Sequence, residues 1–579
     1  MRKVLKDKGI ALLCQVNSKQ SAVGNVGANL VFALLSYFIN AIGIVHLQWN
    51  ESAQTLCSPP VQGSGKPQIR NHFHDGIKIP VTNRCAVAYN DTQSLKPGVP
   101  VSEKTAGHNG AEIYRLRRDA IRERIGDGLI LWLGNSLQPR NYEGNTYPFR
   151  QNSHFLYYTG LSKPDLAMLS FPDSGRDVLF ANRPDMDTVI WNGPDRSMDD
   201  LARDAGINTV EELSLLENHI DEARKKGRTI HYLPPYSATS LYRLAGLIKA
   251  GPEEVKTEIS RFLMEEVSKQ RSVKSDAEIE QIEDALSVTD RMHRACIAAA
   301  RPGMREIELS GLIQAIALSC NRQQAFNPIV TVHGEVLHND SSETILEDGQ
   351  LLLNDSGAES PMGYASDITR TFPVNGRFTD IQKKIYQIVL HVQHEAINLA
   401  KPGITYRDVH MASCRIMAEE LRALGLMKGD PAEAVEAGAH ALFFPHGIGH
   451  MMGLDVHDME DLGDIVGYGK KEPRSGQFGL KYLRLSRPLE PGFVLTVEPG
   501  IYFIPALIER WQNERQHEAF IEYDRVKDFV SFGGIRIEDN IVITASGARL
   551  LGPKIPKTIP EVEEACGRTI SGEWPLLID

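Results

Sequence analysis

The sequence predicts an α+β protein, with a smaller α/β domain preceding a larger domain made of two related halves. Three observations predict it. Helical and strand-like runs alternate from Glu112 to about Tyr236. The motif Ala300-Arg301-Pro302-Gly303-Met304 returns one hundred residues later as Ala400-Lys401-Pro402-Gly403-Ile404. Beyond residue 350, several apolar strand-like runs end on a carboxylate.

In chain order, residues 1–108 lack sustained periodicity and carry Gly, Pro, Ser and Asn clusters, so they read as a partly loop-like extension. Within it, the uncharged stretch Leu30 to Val45 is interrupted by Ser36 and Asn40. It is short and polar for a span that needs about 20 apolar residues. A cytoplasmic protein is therefore expected, with a membrane or export segment at 30–45 as the alternative. Residues 109–250 form the α/β domain: a charged helix (EIYRLRRDAIRERI), the strand GLILWLG, then DLAMLSF and RDVLFA. Residues 251–275 are charged and helical, which suits a connector. The larger domain spans 276–555. In it each motif copy follows one helical run and precedes another, with Pro-Gly as the stop between them. Residues 556–579 are Pro-spaced at their start and read as a peripheral tail.

The charge balance, 63 Lys+Arg against 74 Asp+Glu, gives −11 and opposes a general nucleic-acid binder. Seven scattered cysteines without a CxxC pair indicate neither a disulfide framework nor a cysteine-based zinc site, and fit a reducing compartment. Cys296, Cys320 and Cys414 sit in helical patterns and read as core packing. Ser366 has no G-x-S-x-G elbow around it, so serine-hydrolase chemistry is poorly supported.

Four segments carry the chemistry. The apolar run Leu351-Leu352-Leu353-Asn354 ends in Asp355, and Asp367 opens the strand that continues to Phe372. A hairpin sets these two carboxylates side by side, where low dielectric demands a proton or cations between them. A third run, Phe493 to Val497, ends in Glu498. In Ile535-Arg536-Ile537-Glu538, alternation puts the isoleucines on one face and Arg536 with Glu538 on the other. His446 and His450 are four apart, but Gly447 stands where a helical H-E-x-x-H zinc motif needs Glu, and the surrounding glycines favour a loop.

Taken singly, a strand-end Asp or Glu is more often a cap or a solvated turn residue, and a lone His more often structural. Co-occurrence is what separates these residues from that background. Asp355, Asp367, Glu498 and Glu538 with one imidazole carry about four negative charges, which two divalent cations would neutralise. Oxygen-rich ligands favour harder ions such as Mn²⁺, and two cations sharing a water lower its pKa.

The ordered set NDSGAESPMGYASDITRTFP, PHGIGHMMGLDVHD, VLTVEPGIYF and GIRIEDNIVIT resembles the pita-bread metallopeptidases that act on Xaa-Pro bonds, aminopeptidase P and prolidase. The resemblance covers roughly Glu112 to Leu550. It implies a dinuclear site, usually of manganese, with Asp355, Asp367, His450, Glu498 and Glu538 as ligands, Asp367 and Glu538 bridging. It further implies Glu498 as proton shuttle, and His446 and His457 holding the substrate and its tetrahedral intermediate. His338 matches another active-site histidine, and Arg536 stands behind the ligands. The implied reaction is attack by a metal-bridging hydroxide on the carbonyl before proline. Eleven residues separate Asp355 from Asp367, where the family usually has ten, an addition that a bulge or longer turn absorbs.

Within the family the sequence favours aminopeptidase P, on Pro148-Phe149-Arg150-Gln151 and the following HFLYYTG. Prolidase stays as the alternative, because Arg484 in Tyr482-Leu483-Arg484 matches the arginine that captures a dipeptide carboxylate. The reading for Arg484 that involves no substrate is a surface ion pair. The stretch 458–489 is read as a lid. Expected partners are peptides with proline second and further copies of the chain, with no nucleic acid. A non-catalytic pita-bread binding module is the other class of function. Such relatives replace ligands, and all five stand here.

Overall fold

The computed structural model describes residues 109–339, 343–470 and 473–567. The 30–45 stretch lies outside the described residues. Among those described, no helix is long and apolar enough to cross a membrane.

Helix α1 (Asn109–Ile125) leads into β1 (Leu129–Leu133), and β2 (Ala167–Phe171), β3 (Arg176–Ala181), β4 (Thr209–Glu212) and β5 (Ile230–His231) complete a mixed sheet in the order β4-β3-β2-β1-β5. Strands β1 and β2 are apolar and buried on both faces, as expected for a sheet covered by helices on each side. Arg118 is fully buried in α1 and pairs with Asp177 at 2.7 Å, so a charged helix face is turned inward against β3. The connector is a packed element: helix Arg261–Ser272 buries Leu263, Val267 and Arg271.

The larger domain repeats one design. Helices α2 (Asp276–Ala299) and α3 (Glu306–Ser319) are joined through Gly303, as α4 (Asp380–Leu399) and α5 (Tyr406–Ala423) are through Gly403. Both glycines have φ +88°, a left-handed conformation open to glycine at little steric cost. The hydrogen bonds also repeat. Gly303 donates to Leu346 O at 2.8 Å and Gly403 to Leu489 O at 2.9 Å. Leu346 and Leu489 in turn donate to Met304 O and Ile404 O. The sequence echo thus marks one structural joint used twice.

Each half contributes a small antiparallel sheet. In the first, β6 (Ile329–Thr331), β7 (Leu351–Ser356) and β8 (Ile368–Pro373) run in the order β8-β7-β6. In the second, β9 (Val494–Val497), β12 (Asp539–Ile543) and β13 (Ala548–Leu550) pair in the order β9-β12-β13, while β10 (Gly500–Tyr502) pairs with β11 (Gly534–Arg536). The halves meet where Glu538 N donates to Thr369 O at 3.0 Å. The functional residues collect along that seam.

Residues 556–567 depart from the peripheral tail expected. Lys557 is buried and donates to Asp539 at 2.6 Å, and Pro556 O accepts from fully buried Arg370. Helix α6 (Ile559–Ala565), capped by Thr558, buries Val562 against the same region. Arg370 and Asp539 are charges taken out of water, which requires paired partners, and the tail supplies them.

Candidate metal centre

Strand register places the first two carboxylates. In the β7–β8 hairpin Thr369 faces Asp355, so Asp367, two residues earlier, stands at the mouth of the connection. Asn540 fixes it by accepting from Asp367 N at 3.1 Å and donating to Asp367 O at 2.6 Å. The connection between them carries an isolated antiparallel bridge, Glu359 to Ala365. Glu498 follows β9, with its backbone N donating to Ile448 O at 2.8 Å. Glu538 lies between β11 and β12. The alternation argument holds here: Ile535 and Ile537 enter the core while Arg536 and Glu538 turn toward the carboxylates.

The histidine segment is a loop, as its glycines demand. At Gly449 a Cβ would lie 2.1 Å from Thr496 O, so the loop can pass β9 only without a side chain. His450 gains its orientation there. Its N donates to Thr496 Oγ1, and Nδ1 donates to Met451 O at 3.0 Å, leaving Nε2 toward the acids. That nitrogen lies 3.4 Å from Asp367 Oδ2 and 3.7 Å from Glu498 Oε1.

Asp367, His450 and Glu538 offer ligand atoms all within 4.8 Å of one another, and Asp355 and Glu498 line the same cavity of about 760 Å³. Three buried carboxylate oxygens of this centre have no hydrogen-bond partner: Asp355 Oδ1, Asp367 Oδ1 and Glu538 Oε1. Leaving a buried acceptor unpaired costs about 1–3 kcal/mol, more for a charged one. The opposite oxygens of two of them are held, Asp355 Oδ2 by Arg536 Nη2 at 2.5 Å and Glu538 Oε2 by Thr369 Oγ1 at 2.7 Å. The acids are thus oriented from behind and open in front. Burial, reinforced by mutual repulsion, pushes the Asp367 and Glu538 carboxyls well above the usual range, and burial raises Glu498 to about 7. These residues fit a pair of divalent cations, which would satisfy the orphaned oxygens and cancel the repulsion together.

Arg536 ties the centre to the histidines. It donates to Asp355, to Thr369 Oγ1 and, at 3.0 Å, to Tyr502 OH. The Tyr502 hydroxyl then donates to His446 Nε2 at 2.8 Å, and His446 Nδ1 donates to Gly447 O. Burial and the Arg536 charge hold His446 down to about 3, so its ring is neutral. His457 packs edge-on against His450 with centroids 4.4 Å apart, and burial lowers it to about 4. His338 is exposed on the cavity wall, its pKa lowered by desolvation there and by Arg536.

Arg484 also lines the cavity, and its guanidinium donates to Glu460 Oε1 at 2.5 Å. Glu460 Oε2 meets His457 Nδ1 at 2.9 Å, and these two contacts hold the Glu460 carboxyl down to about 2, the hydrogen bond from His457 first. All ten expected site residues therefore border one cavity. Tyr502, Thr369 and Glu460 went unnoticed in the sequence. For Tyr502 a signal existed: in Gly500-Ile501-Tyr502 alternation turns it away from the buried Ile501 and toward the Arg536 side.

The model of metallopeptidase family M24 matches residues 280–545, and that of the aminopeptidase P N-terminal domain matches residues 114–231. A probable Xaa-Pro aminopeptidase of Fusarium vanettenii is 33% identical over 456 residues, covering 77% of this chain and 94% of that protein. The Xaa-Pro dipeptidase of Rattus norvegicus is 32% identical over 494 residues, covering 80% and 96%. A substrate complex of an Escherichia coli aminopeptidase P variant superposes with a TM-score of 0.65 at 30% identity, covering 79% of this chain and 98% of that one. Two domains matched in order, and relatives spanned nearly end to end, show that this chain belongs to metallopeptidase family M24, and divalent metal ions are the cofactors that membership implies.

Proposed function

We propose that the chain is an Xaa-Pro aminopeptidase, hydrolysing the bond between a peptide's first residue and a following proline, with two Mn²⁺ ions held by Asp355, Asp367, His450, Glu498 and Glu538. The single observation that carries this reading is the front of orphaned carboxylate oxygens facing His450 Nε2. When bound, the ions supply Lewis acidity and a water acidic enough to ionise near neutral pH.

The chain's own residues do the rest. Glu498, raised to about 7 in the metal-free chain, is poised to take a proton from the attacking water and return it to the proline nitrogen. His446, neutral and fixed by Tyr502, exchanges its Nδ1 contact with Gly447 for the peptide carbonyl as the oxyanion develops. His338 and His457 border the same space as neutral rings, His338 with one N–H to donate and His457, whose Nδ1 hydrogen is given to Glu460, with Nε2 as an acceptor. Phe326, Pro328 and Ile329 add an apolar wall suited to a pyrrolidine ring.

The second reading, an Xaa-Pro dipeptidase, is favoured by one observation: Arg484 faces the cavity, where its ion pair with Glu460 leaves other guanidinium donors for a carboxylate. Comparing Xaa-Pro with Xaa-Pro-Yaa-Zaa peptides on Mn²⁺-loaded enzyme separates the two. Faster turnover of the longer peptide supports the aminopeptidase, turnover of dipeptides alone supports the alternative, and failure on both refutes the assignment.

A further inference from the structure

A second set of metal-ligating side chains lies apart from the carboxylate centre. His410 and Cys414 stand one turn apart on α5, and His440 comes from the short turn Ala439–Leu442. All three are buried, and their ligating atoms lie within 4.8 Å of one another. Cys414 Sγ is 3.5 Å from His410 Nε2.

His440 supplies an independent pointer to a ligand. It is 1% exposed, yet neither ring nitrogen has a hydrogen-bond partner. A neutral imidazole brings one donor and one acceptor into the core, and leaving both unpaired there is unfavourable. Burial lowers His410 to about 3 and His440 to about 4, so both rings are neutral and keep a lone pair at neutral pH.

We propose that His410, Cys414 and His440 bind one thiophilic d¹⁰ ion, Zn²⁺ or Cu⁺, in a closed site separate from the oxygen-rich centre. One sulfur and two imidazole nitrogens form a soft donor set, the opposite of the carboxylate-dominated cavity, so the two sites select different ions. Small side-chain rotations bring these atoms to bonding distances of roughly 2.0–2.3 Å. On binding, the sulfur–metal bond forms as the thiol proton leaves to solvent, giving a neutral site with Cu⁺ and a single positive charge with Zn²⁺. Gly479 closes over the cluster, where an added Cβ would lie 3.9 Å from His440 Nε2. The Phe444 ring links this cluster to the active site, with centroids 5.5 Å from His410 and 4.8 Å from His446.

The test loads chelator-treated, full-length protein anaerobically with Co²⁺ or with Cu⁺. Cobalt in the carboxylate centre has no sulfur ligand, so a sulfur-to-cobalt charge-transfer band reports the second site alone. A band that disappears in Cys414→Ser supports a zinc-type site. One equivalent of Cu⁺ retained against a colorimetric chelator, without a cobalt band and again lost in Cys414→Ser, supports the copper form. Peptide hydrolysis with Mn²⁺ is expected to persist in that variant. His440→Phe, which fills the same core space, must also lose the signal and keeps the test decisive if Cys414→Ser fails to fold. Absence of both signals in the unmodified chain overturns the proposal, as does a signal that survives loss of Cys414.

Discussion

Removing the metal leaves buried carboxylates facing one another, and the pH dependence of that repulsion follows from the site. Glu498 has a carboxyl raised from an ordinary 4.5 to about 7 by burial, and Asp367 and Glu538 are pushed upward beside it. An acid whose folded-state value exceeds its unfolded value contributes stability fully present below the unfolded pKa. That contribution is lost as pH rises through the folded value. The metal-free chain should therefore lose stability between about pH 4.5 and 7 from Glu498 alone, by about 3 kcal/mol at 1.36 kcal/mol per unit. Bound cations favour the ionised acids and reverse this loss, so their stabilisation should grow across the same window. Urea unfolding of chelated and Mn²⁺-loaded protein at about pH 5 and about pH 8 measures it. Reading the difference between loaded and metal-free protein cancels titrations elsewhere in the chain. A metal stabilisation that is equal at both pH values, or larger at the acidic one, refutes the reasoning.

Other perturbations follow from single contacts. Arg536→Met frees Asp355 Oδ2 and Tyr502 while leaving every ligand in place, and should weaken metal affinity about 10–100-fold by titration. Tyr502→Phe removes the hydrogen bond that orients His446 and the one accepted from Arg536 while leaving every metal ligand in place, so kcat should fall about tenfold or more with metal content unchanged. Arg484→Met should reduce kcat/KM for dipeptides at least about tenfold while sparing longer peptides, if its free donors meet a substrate carboxylate. Gly303→Ala and Gly403→Ala should each cost about 1–2 kcal/mol in urea unfolding. Both have φ +88° and open space for a Cβ, so the cost is conformational and nearly equal at the two sites.

What the sequence made legible was whatever one strand or one joint decides by itself. Alternation alone sends Arg536 and Glu538 to the same side, because a strand's side chains have a period of two wherever it lies in the fold. The paired Pro-Gly motifs likewise announce a repeated helix stop, and both glycines take the same left-handed conformation. The residues that escaped notice matter only through partners far along the chain. Glu460 pairs with Arg484 twenty-four residues on, and buried Lys557 donates to Asp539 and Gln393.

The same distinction hides the proposed second site in the sequence. Closely spaced CxxC ligands announce a metal site because one turn of chain supplies half the coordination sphere. In the proposed site a helix would supply two ligands one turn apart, and the third would come from His440 after a further helix, Pro431–Ala437. In sequence that arrangement looks like core packing, since an apolar helix face tolerates an occasional Cys or His. The unpaired nitrogens of His440 break the equivalence. A core histidine that only fills space still needs a hydrogen-bond partner for its N–H, whereas a metal-binding one needs a lone pair aimed at its co-ligands. If the ion is absent, substituting His440 with Phe should therefore stabilise the chain by removing two buried unpaired groups. If the ion is present, the same substitution should destabilise it, and unfolding measured with and without the ion separates the two by sign.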